Sequence, residues 1–223
     1  MLAFTSSTLP SIMTSLDYLN VMTYDLMNRR DTVTKHHTGV SASLEAIQAY
    51  ADAGVGANRM NMGFAFYVKW FKTAKEGGCD KNAIGCKTVL MEDPITGSDL
   101  GGTGGFSYHD SVPSHLSASW SKAQQQGVYD KEGGGQYFWD KDEDLWWTWD
   151  TEDAIGMKFW KAVETSGIGG VFAWGLGEDG NEWKHLDAMN LGMESWSVRT
   201  GDIGRGGRRC GTGEPPEHLM REL

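Results

Sequence analysis

The chain contains two short apolar runs that end in polar residues. The first, LDYLNVMTYD at residues 16–25, leads directly into a tyrosine and an aspartate. It lacks the spacing of an amphipathic helix and is typical of a buried parallel strand with polar groups at its C-terminal end. The second, GGVFAWGLGED at residues 169–179, sets a tryptophan among small residues. Both runs are therefore predicted to contain strands of a parallel sheet.

The segments that follow the first run predict a helix and another strand. Residues 41–53 (SASLEAIQAYADA) have apolar positions at helical spacing and are followed by a glycine, which predicts a helix. Residues 58–71 (NRMNMGFAFYVKWF) are apolar and aromatic, which predicts a second buried strand. A strand, a helix and a strand in this order form a βαβ unit, and such units imply a parallel sheet.

The region from residue 72 to residue 147 does not continue this alternation of strand and helix. It is rich in glycine, aromatic and acidic residues, and its short pieces GGFSYHD and GQYFWD predict an α+β insertion. Residues 150–165 (DTEDAIGMKFWKAVET) predict a helix with an aspartate N-cap. Residues 196–223 have no periodicity and are predicted to be disordered.

Composition and charge exclude several classes of partner. The formal net charge of −10 disfavours binding to a nucleic acid backbone. No run of about 20 apolar residues exists, so we expect no membrane span. The first 13 residues lack the basic start and the apolar stretch of a signal peptide. We therefore expect the protein either to stay inside the cell or to lack its true N-terminus, and its localisation stays open.

Two of the three cysteines are close together in sequence. Cys79 and Cys86 flank a short loop, a spacing that suits a local disulfide better than a metal site. This disulfide is expected if the chain is exported, whereas free thiols are expected in a reducing compartment. His36 and His37 have no third ligand at useful spacing, so no zinc site is expected.

Four motifs together resemble a known family. MTYD, GFAFYVKWF, DLWWTWDTEDAI and GGVFAWGLGED follow one another along the chain. They resemble the C-terminal half of a fungal chitinase of glycoside hydrolase family 18, from the subgroup with an insertion domain. The resemblance implies an α/β fold, a partial TIM (β/α)8 barrel of about strands six to eight with an α+β insertion domain. The implied division is barrel at 1–71, insertion at 72–147, barrel at 148–195 and a disordered tail at 196–223.

The resemblance also implies roles for particular residues. Catalysis in that family is substrate-assisted: a glutamate ending a DxxDxDxE motif protonates the leaving oxygen, and the acetamido carbonyl of the substrate attacks the anomeric carbon. Tyr24 would hydrogen-bond that carbonyl, Asp25 would contact the same sugar region, and Met22 would pack below them. Trp174 would be the flat floor under the sugar, and Tyr67 is a further candidate for the cleft. No cofactor and no metal ion are implied.

Each of these residues also has a purely structural interpretation. A Tyr-Asp pair at a strand end often anchors a loop, and a lone tryptophan such as Trp174 is often part of the core. The tryptophans at 146, 147 and 149 are expected to pack the insertion against the barrel rather than to line a subsite. Tyr108 could reach the cleft.

The departure from the family pattern is the missing acid motif. DxxDxDxE does not occur in the 223 residues, and no counterpart of strands one to five is found. A complete eightfold barrel takes about 250 residues, so a partial barrel is expected. Its open strand edges and inner face would favour self-association.

Two functions remain open at this point. The chain is either a piece of an endochitinase, which hydrolyses β-1,4-linked N-acetylglucosamine polymers with retention when an upstream part supplies the proton donor, or a non-catalytic remnant that binds chitin weakly. Recruitment into an unrelated complex is a third possibility. Chitin or chito-oligosaccharides are the expected ligands in the first two cases, and the chain alone is expected to be inactive.

Overall fold

Two separate sheets, one parallel and one antiparallel, form the framework of the computed structural model, which describes residues 4–200. The strands are β1 (Leu19–Val21), β2 (Met60–Ala65), β3 (Tyr67–Lys72), β4 (Thr103–Ser107), β5 (Val128–Asp130), β6 (Gly135–Asp140), β7 (Leu145–Trp149) and β8 (Gly170–Trp174). The helices are α1 (Leu9–Met13), α2 (Val40–Asp52), α3 (Ser117–Gln126), α4 (Glu152–Lys158), α5 (Glu164–Ser166) and α6 (Lys184–Thr200). A π-helical segment, Phe159–Val163, joins α4 to α5, and 3-10 turns occur at Ala57–Arg59 and Leu176–Glu178.

The parallel sheet contains the predicted strands in the order β1-β2-β8. Leu19 pairs with Met60 at one edge, and Ala65 pairs with Trp174 at the other. Helix α2 lies within one residue of the helix predicted at 41–53, and it connects β1 to β2 as a parallel crossover requires. Three strands are too few to close a barrel, so this sheet is open on both sides within the described residues.

The predicted strand at residues 58–71 is wrong as a single element. The structure divides it at Phe66 into β2, which belongs to the parallel sheet, and β3, which pairs antiparallel with β4 and β7. Phe66 is fully buried, and its N–H donates a hydrogen bond to the carbonyl of Trp174 (2.9 Å). The residues on both sides of Phe66 are apolar and largely buried, so the hydrophobic pattern does not show where one strand ends and the next begins.

The antiparallel sheet has the order β4-β3-β7-β6-β5 and spans residues 67–149. Helix α3 packs on one face of it, where Trp120 meets Trp147 and Trp149 at ring-centroid distances of 5.3 and 5.1 Å. Trp146, on the other face, packs with Met27 from the loop after β1. The tryptophans of β7 therefore fill hydrophobic clusters. The predicted division into domains stays a prediction, although the sheet begins five residues before the expected boundary.

One face of the parallel sheet is covered by helices, and the other lines a cleft. Side chains alternate along a strand, so Leu19 and Val21 of β1, like Val171 and Ala173 of β8, point into the core under α2, α6 and residues 152–166. Full burial of an apolar side chain of this kind, as for Val21 at 4% exposure, contributes about 1.5–3 kcal/mol. The opposite face leads to a cleft that Tyr24, just after β1, and Trp174, the last residue of β8, both line.

The helix predicted at 150–165 begins with a different cap. Thr151, not Asp150, is the N-cap, and its Oγ1 accepts a hydrogen bond from the N–H of Ala154 (3.1 Å). Asp150 is fully buried and pairs with the fully buried Lys158, with Nζ and Oδ2 2.7 Å apart. The hydroxyl of Thr38 donates to the same oxygen (2.9 Å). The acid that the sequence pattern assigned to a helix end is therefore part of an internal ion pair.

The tail prediction is wrong at its first residues. Helix α6 continues to Thr200, so residues 196–200 are helical, and the rest of the predicted disordered tail lies outside the described residues. Apolar side chains of α6, including Trp196, pack against the hydrophobic core, which explains why the helix continues past the expected boundary. Within residues 4–200, no helix is long and apolar enough to cross a membrane.

Candidate functional site

A cleft of about 620 Å³ opens where the C-terminal ends of β1 and β8 meet the antiparallel sheet. The five residues predicted for the substrate site all line it: Met22, Tyr24, Asp25, Tyr67 and Trp174. The position agrees with the rule that parallel α/β sheets bind ligands beyond the carboxyl ends of their strands.

Tyr24 is held in place by its neighbour on the chain. The fully buried Thr23 donates its hydroxyl to the carbonyl of Gly63 (2.7 Å) and accepts the N–H of the same glycine (2.9 Å). Gly63 has no side chain, which makes room for the tyrosine: a Cβ there would lie 2.6 Å from Cε1 of Tyr24. The ring of Tyr24 is edge-on to Phe172 and tilted against Trp174, at centroid distances of 6.1 and 6.5 Å.

Asp25 connects the two sheets. Its Oδ1 accepts hydrogen bonds from the hydroxyl of Tyr67 (2.8 Å) and from Nζ of Lys69 (2.9 Å), both on β3. The backbone of Asp25 adopts a positive φ of 54°, which turns the chain out of the strand direction. Burial and the Asp25 carboxylate raise the pKa of Tyr67 far above its ordinary range, and the same two causes raise the pKa of Tyr24. Both phenols therefore remain protonated, and able to donate, at neutral pH.

Trp174 presents a broad ring surface to the cleft. Its side chain is 56% exposed, so the interpretation of this residue as core is not supported. The peptide bond between Trp174 and Gly175 is cis. Met22 was predicted to pack below Tyr24 and Asp25, but it is 66% exposed, because no further strand covers its side of β1 in the described structure.

Comparison with known proteins identifies the family. The family model of glycosyl hydrolases family 18 matches residues 3–179. The chain belongs to this family. Among curated proteins, Nod factor hydrolase protein 1 of Medicago truncatula is 29% identical over 185 residues, which cover 78% of this chain and 42% of that protein.

Solved structures of chitinases share the fold. A chitinase from Rhizomucor miehei has a TM-score of 0.62 at 17% identity and covers 82% of this chain and 55% of its own. A class V chitinase from Nicotiana tobaccum in complex with NAG4 has a TM-score of 0.59 at 18% identity and covers 82% and 50%. The fold is thus that of part of a family 18 chitinase, an α/β TIM-barrel architecture. The chain spans about half the length of these relatives.

Glu178 is a cleft residue of this family 18 chain that the sequence reasoning missed. It ends the 3-10 turn after β8 and lines the cleft together with Trp174. Burial raises the pKa of Glu178, and the nearby Asp110 carboxylate adds to this shift. Glu178 and Asp179 follow GLG in the last strand motif, and this acidic pair was the feature of the sequence that could have indicated a carboxyl group in the cleft.

The outer rim of the cleft carries charges that largely neutralise one another. The side chains of Arg29 and Arg30 both pair with Glu92; the second pair has Nε and Oε1 3.1 Å apart. These contacts, first of all the hydrogen bond from Arg29, hold the pKa of Glu92 below its usual range. Because cations and anions are paired here, the rim does not present the uncompensated positive charge that an anionic polymer would require.

The remaining candidates lie elsewhere. Tyr108 does not line this cleft; its hydroxyl donates to the carbonyl of Asp150 (3.0 Å). Cys79 and Cys86 form a disulfide in the loop between β3 and β4. His36 pairs with Asp130, with Nε2 and Oδ2 2.9 Å apart. Between residues 4 and 200, no group of three or more His, Cys, Asp or Glu side chains could hold a metal ion.

Proposed function

We propose that the chain carries the sugar-positioning part of a family 18 site for chito-oligosaccharides, and that it lacks the proton donor needed for hydrolysis. The observation that carries the proposal is the convergence of Tyr24, Asp25, Tyr67 and Trp174 on one cleft. An exposed indole face beside hydrogen-bonding groups is the surface on which an apolar sugar face can stack. That the solved Nicotiana tobaccum relative is in complex with NAG4 supports this ligand class.

Tyr24 is the proposed donor to the acetamido group. Within residues 4–200 its hydroxyl has no hydrogen-bond partner, although Tyr67, its edge-on neighbour, donates to Asp25. A hydroxyl that remains protonated at neutral pH can donate to the carbonyl oxygen of an N-acetyl group. In substrate-assisted hydrolysis this contact aligns the carbonyl for its attack on the anomeric carbon.

The proposed absence of hydrolysis rests on the acid motif. Protonation of the leaving oxygen needs a carboxyl group at a defined place, and DxxDxDxE is absent from the 223 residues. Glu178 is the carboxyl group of the cleft that could contradict this proposal, because its raised pKa favours a bound proton.

The decisive experiment combines binding with turnover. The purified 223-residue chain is titrated with chitotetraose by calorimetry and incubated with a fluorogenic chitobioside. We expect saturable binding that Trp174→Ala weakens about tenfold and no turnover above that of a mock purification. Turnover that disappears in Glu178→Gln would overturn the proposed inactivity. Equal binding by wild type and Trp174→Ala would overturn the proposed sugar floor.

A non-catalytic chitin-binding role is the alternative that the exposed ring of Trp174 favours. The two versions of the proposal differ in what an added acid-bearing part does. If the upstream portion of a family 18 chitinase, supplied as a fused segment, restores turnover, the chain is the positioning part of an enzyme. If binding persists and turnover stays absent, the binding role is correct.

Self-association is a further element of the proposal. In residues 4–200, β1 and β8 each have one neighbouring strand, so each leaves a strand edge unpaired. Such edges and exposed apolar side chains, here Met22 and Trp174, favour pairing between chains. Sedimentation velocity over a hundredfold range of concentration is expected to give a rising sedimentation coefficient; a constant monomer value would contradict this expectation.

A further inference from the structure

A second cleft, of about 430 Å³, shares the loop between β8 and α6 with the first. Glu178 lines the first cleft, whereas Asp179, the next residue, lines the second. The walls of the second cleft come from α3 and β6 of the antiparallel sheet and from the start of α4 and α6, so it lies at the junction of the two sheets. None of the residues with proposed roles in chito-oligosaccharide binding belongs to it.

Trp183 is the feature of this cleft that internal packing does not explain. Its side chain is 48% exposed, and its φ of 55° lies in the left-handed region that bulky residues rarely adopt. The turn that holds it is closed by a hydrogen bond from its N–H to the carbonyl of Gly180 (2.9 Å). A strained backbone that holds a large apolar ring at the surface is the kind of outlier from which a functional hypothesis starts.

Polar groups suited to hydroxyls surround this ring. Gln124, Gln136 and Asn181 line the cleft, and within residues 4–200 their side-chain amides make no hydrogen bond. Each amide offers two donors and one acceptor. An aromatic face next to several unpaired amides matches the alternation of apolar C–H faces and hydroxyl edges on a pyranose ring.

The charges of the cleft argue for a neutral ligand. Lys184 is paired with Glu182 (2.6 Å), and Asp179 is paired with Nδ1 of His185 (2.7 Å). The pKa of Lys184 is raised first by Glu182 and also by Glu152, a further carboxylate that lines the cleft and makes its charge negative overall. A surface with this balance repels phosphates, sulfates and carboxylates.

We propose that this second cleft is an independent binding site for a neutral oligosaccharide of pyranose rings, with Trp183 as the stacking platform and the three amides as hydroxyl ligands. The site does not depend on the proposed function of the first cleft. It would hold a polysaccharide chain at a second point, next to the loop that carries Glu178.

The test follows the indole N–H resonances of the full 223-residue chain in nitrogen-proton correlation spectra during titration with chitotetraose. The Trp183 resonance is assigned by its loss in Trp183→Gly, a change that also relieves the positive φ. We expect a saturable shift of this resonance. Trp183→Gly is expected to weaken binding at this site by about tenfold, and Gln124→Ala, an exposed position on α3, by about threefold. Trp160→Ala, which removes a ring of similar exposure (42%) outside both clefts, is the matched control and is expected to change nothing.

The same titration in Trp174→Ala separates the two clefts. A Trp183 shift that persists in this variant supports an independent second site, even if Trp174 itself never responds and the proposed function of the first cleft fails. A Trp183 resonance that does not move, in the wild type or in the Trp174 variant, overturns the second site and leaves the first intact. An equal loss of affinity in Trp160→Ala would likewise overturn it, because the effect would then not be local.

Discussion

Replacement of Lys158 by methionine should reveal how strongly the ion pair at the junction of the two sheets matters for stability. Both partners are fully buried. The Asp150 carboxylate accepts hydrogen bonds from Lys158 (2.7 Å) and Thr38 (2.9 Å) on one oxygen, and within residues 4–200 its other oxygen has no partner. Lys158→Met therefore leaves a buried carboxylate with one hydrogen bond. Breaking a buried pair in this way costs about 3–5 kcal/mol.

That loss is large against a typical total stability of about 5–15 kcal/mol. For a chain of this size it lowers Tm by roughly 6–20 °C. The double variant Asp150→Leu, Lys158→Met removes both charges and should recover most of the loss, because an apolar pair of similar volume is often as stable. The carbonyl of residue 150 can still accept from Tyr108 and His185.

Urea unfolding followed by tryptophan fluorescence, with thermal melts by circular dichroism, measures these differences. Lys184→Met is the matched control, since it breaks an exposed pair with Glu182 (59% and 74% exposed) and should leave the stability nearly unchanged. A single Lys158→Met variant within about 1 kcal/mol of the wild type would refute the reasoning. So would a double variant no more stable than the single one.

Three further predictions concern smaller changes. Gly63→Ala should displace Tyr24 and weaken chitotetraose binding severalfold by calorimetry; unchanged affinity would contradict the close contact of 2.6 Å. Burial, with Lys69 nearby, holds the pKa of His37 well below 6.5. The contribution of His37 to stability is therefore full above that pH and falls as the pH drops, by up to about 1.4 kcal/mol per pH unit. His37→Gln should reduce this slope in urea unfolding at several pH values, and an identical slope would contradict the role of His37. Replacing Cys79 and Cys86 by serine should cost roughly 2.5 kcal/mol in urea unfolding, from the short loop they close; an unchanged midpoint would argue against the disulfide.

The sequence was informative wherever a strand or helix had one environment along its length. The crossover helix follows a helical period along its whole length, so α2 agrees with prediction to within one residue, and β8 lies inside the run at 169–179 that was predicted to contain a strand. The prediction of a single strand at 58–71 was wrong because burial does not change at Phe66, whereas the neighbouring strands do. A hydrophobic pattern reports burial and cannot report which sheet a strand joins.

The candidate site shows the same limit. The motif resemblance selected Tyr24, Asp25 and Trp174, which the structure brings to one cleft. It did not select Glu178 or Trp183, since the importance of each depends on what surrounds it in space. The N-cap prediction for Asp150 failed for a related reason. An acid before a helix is an N-cap by pattern, and only the buried lysine at the end of the same helix, Lys158, makes it part of an ion pair.

The single residue between β2 and β3 has a consequence for how this protein can be taken apart. An insertion joined by long linkers can be excised, leaving its host complete. Here no linker separates the sheets, and β3 begins with Tyr67, whose hydroxyl bonds the same carboxylate as Lys69. A deletion of residues 67–149 would remove Tyr67 and Lys69, the two side chains that bond Asp25 within residues 4–200, so the antiparallel sheet is not a separable module but one wall of the cleft.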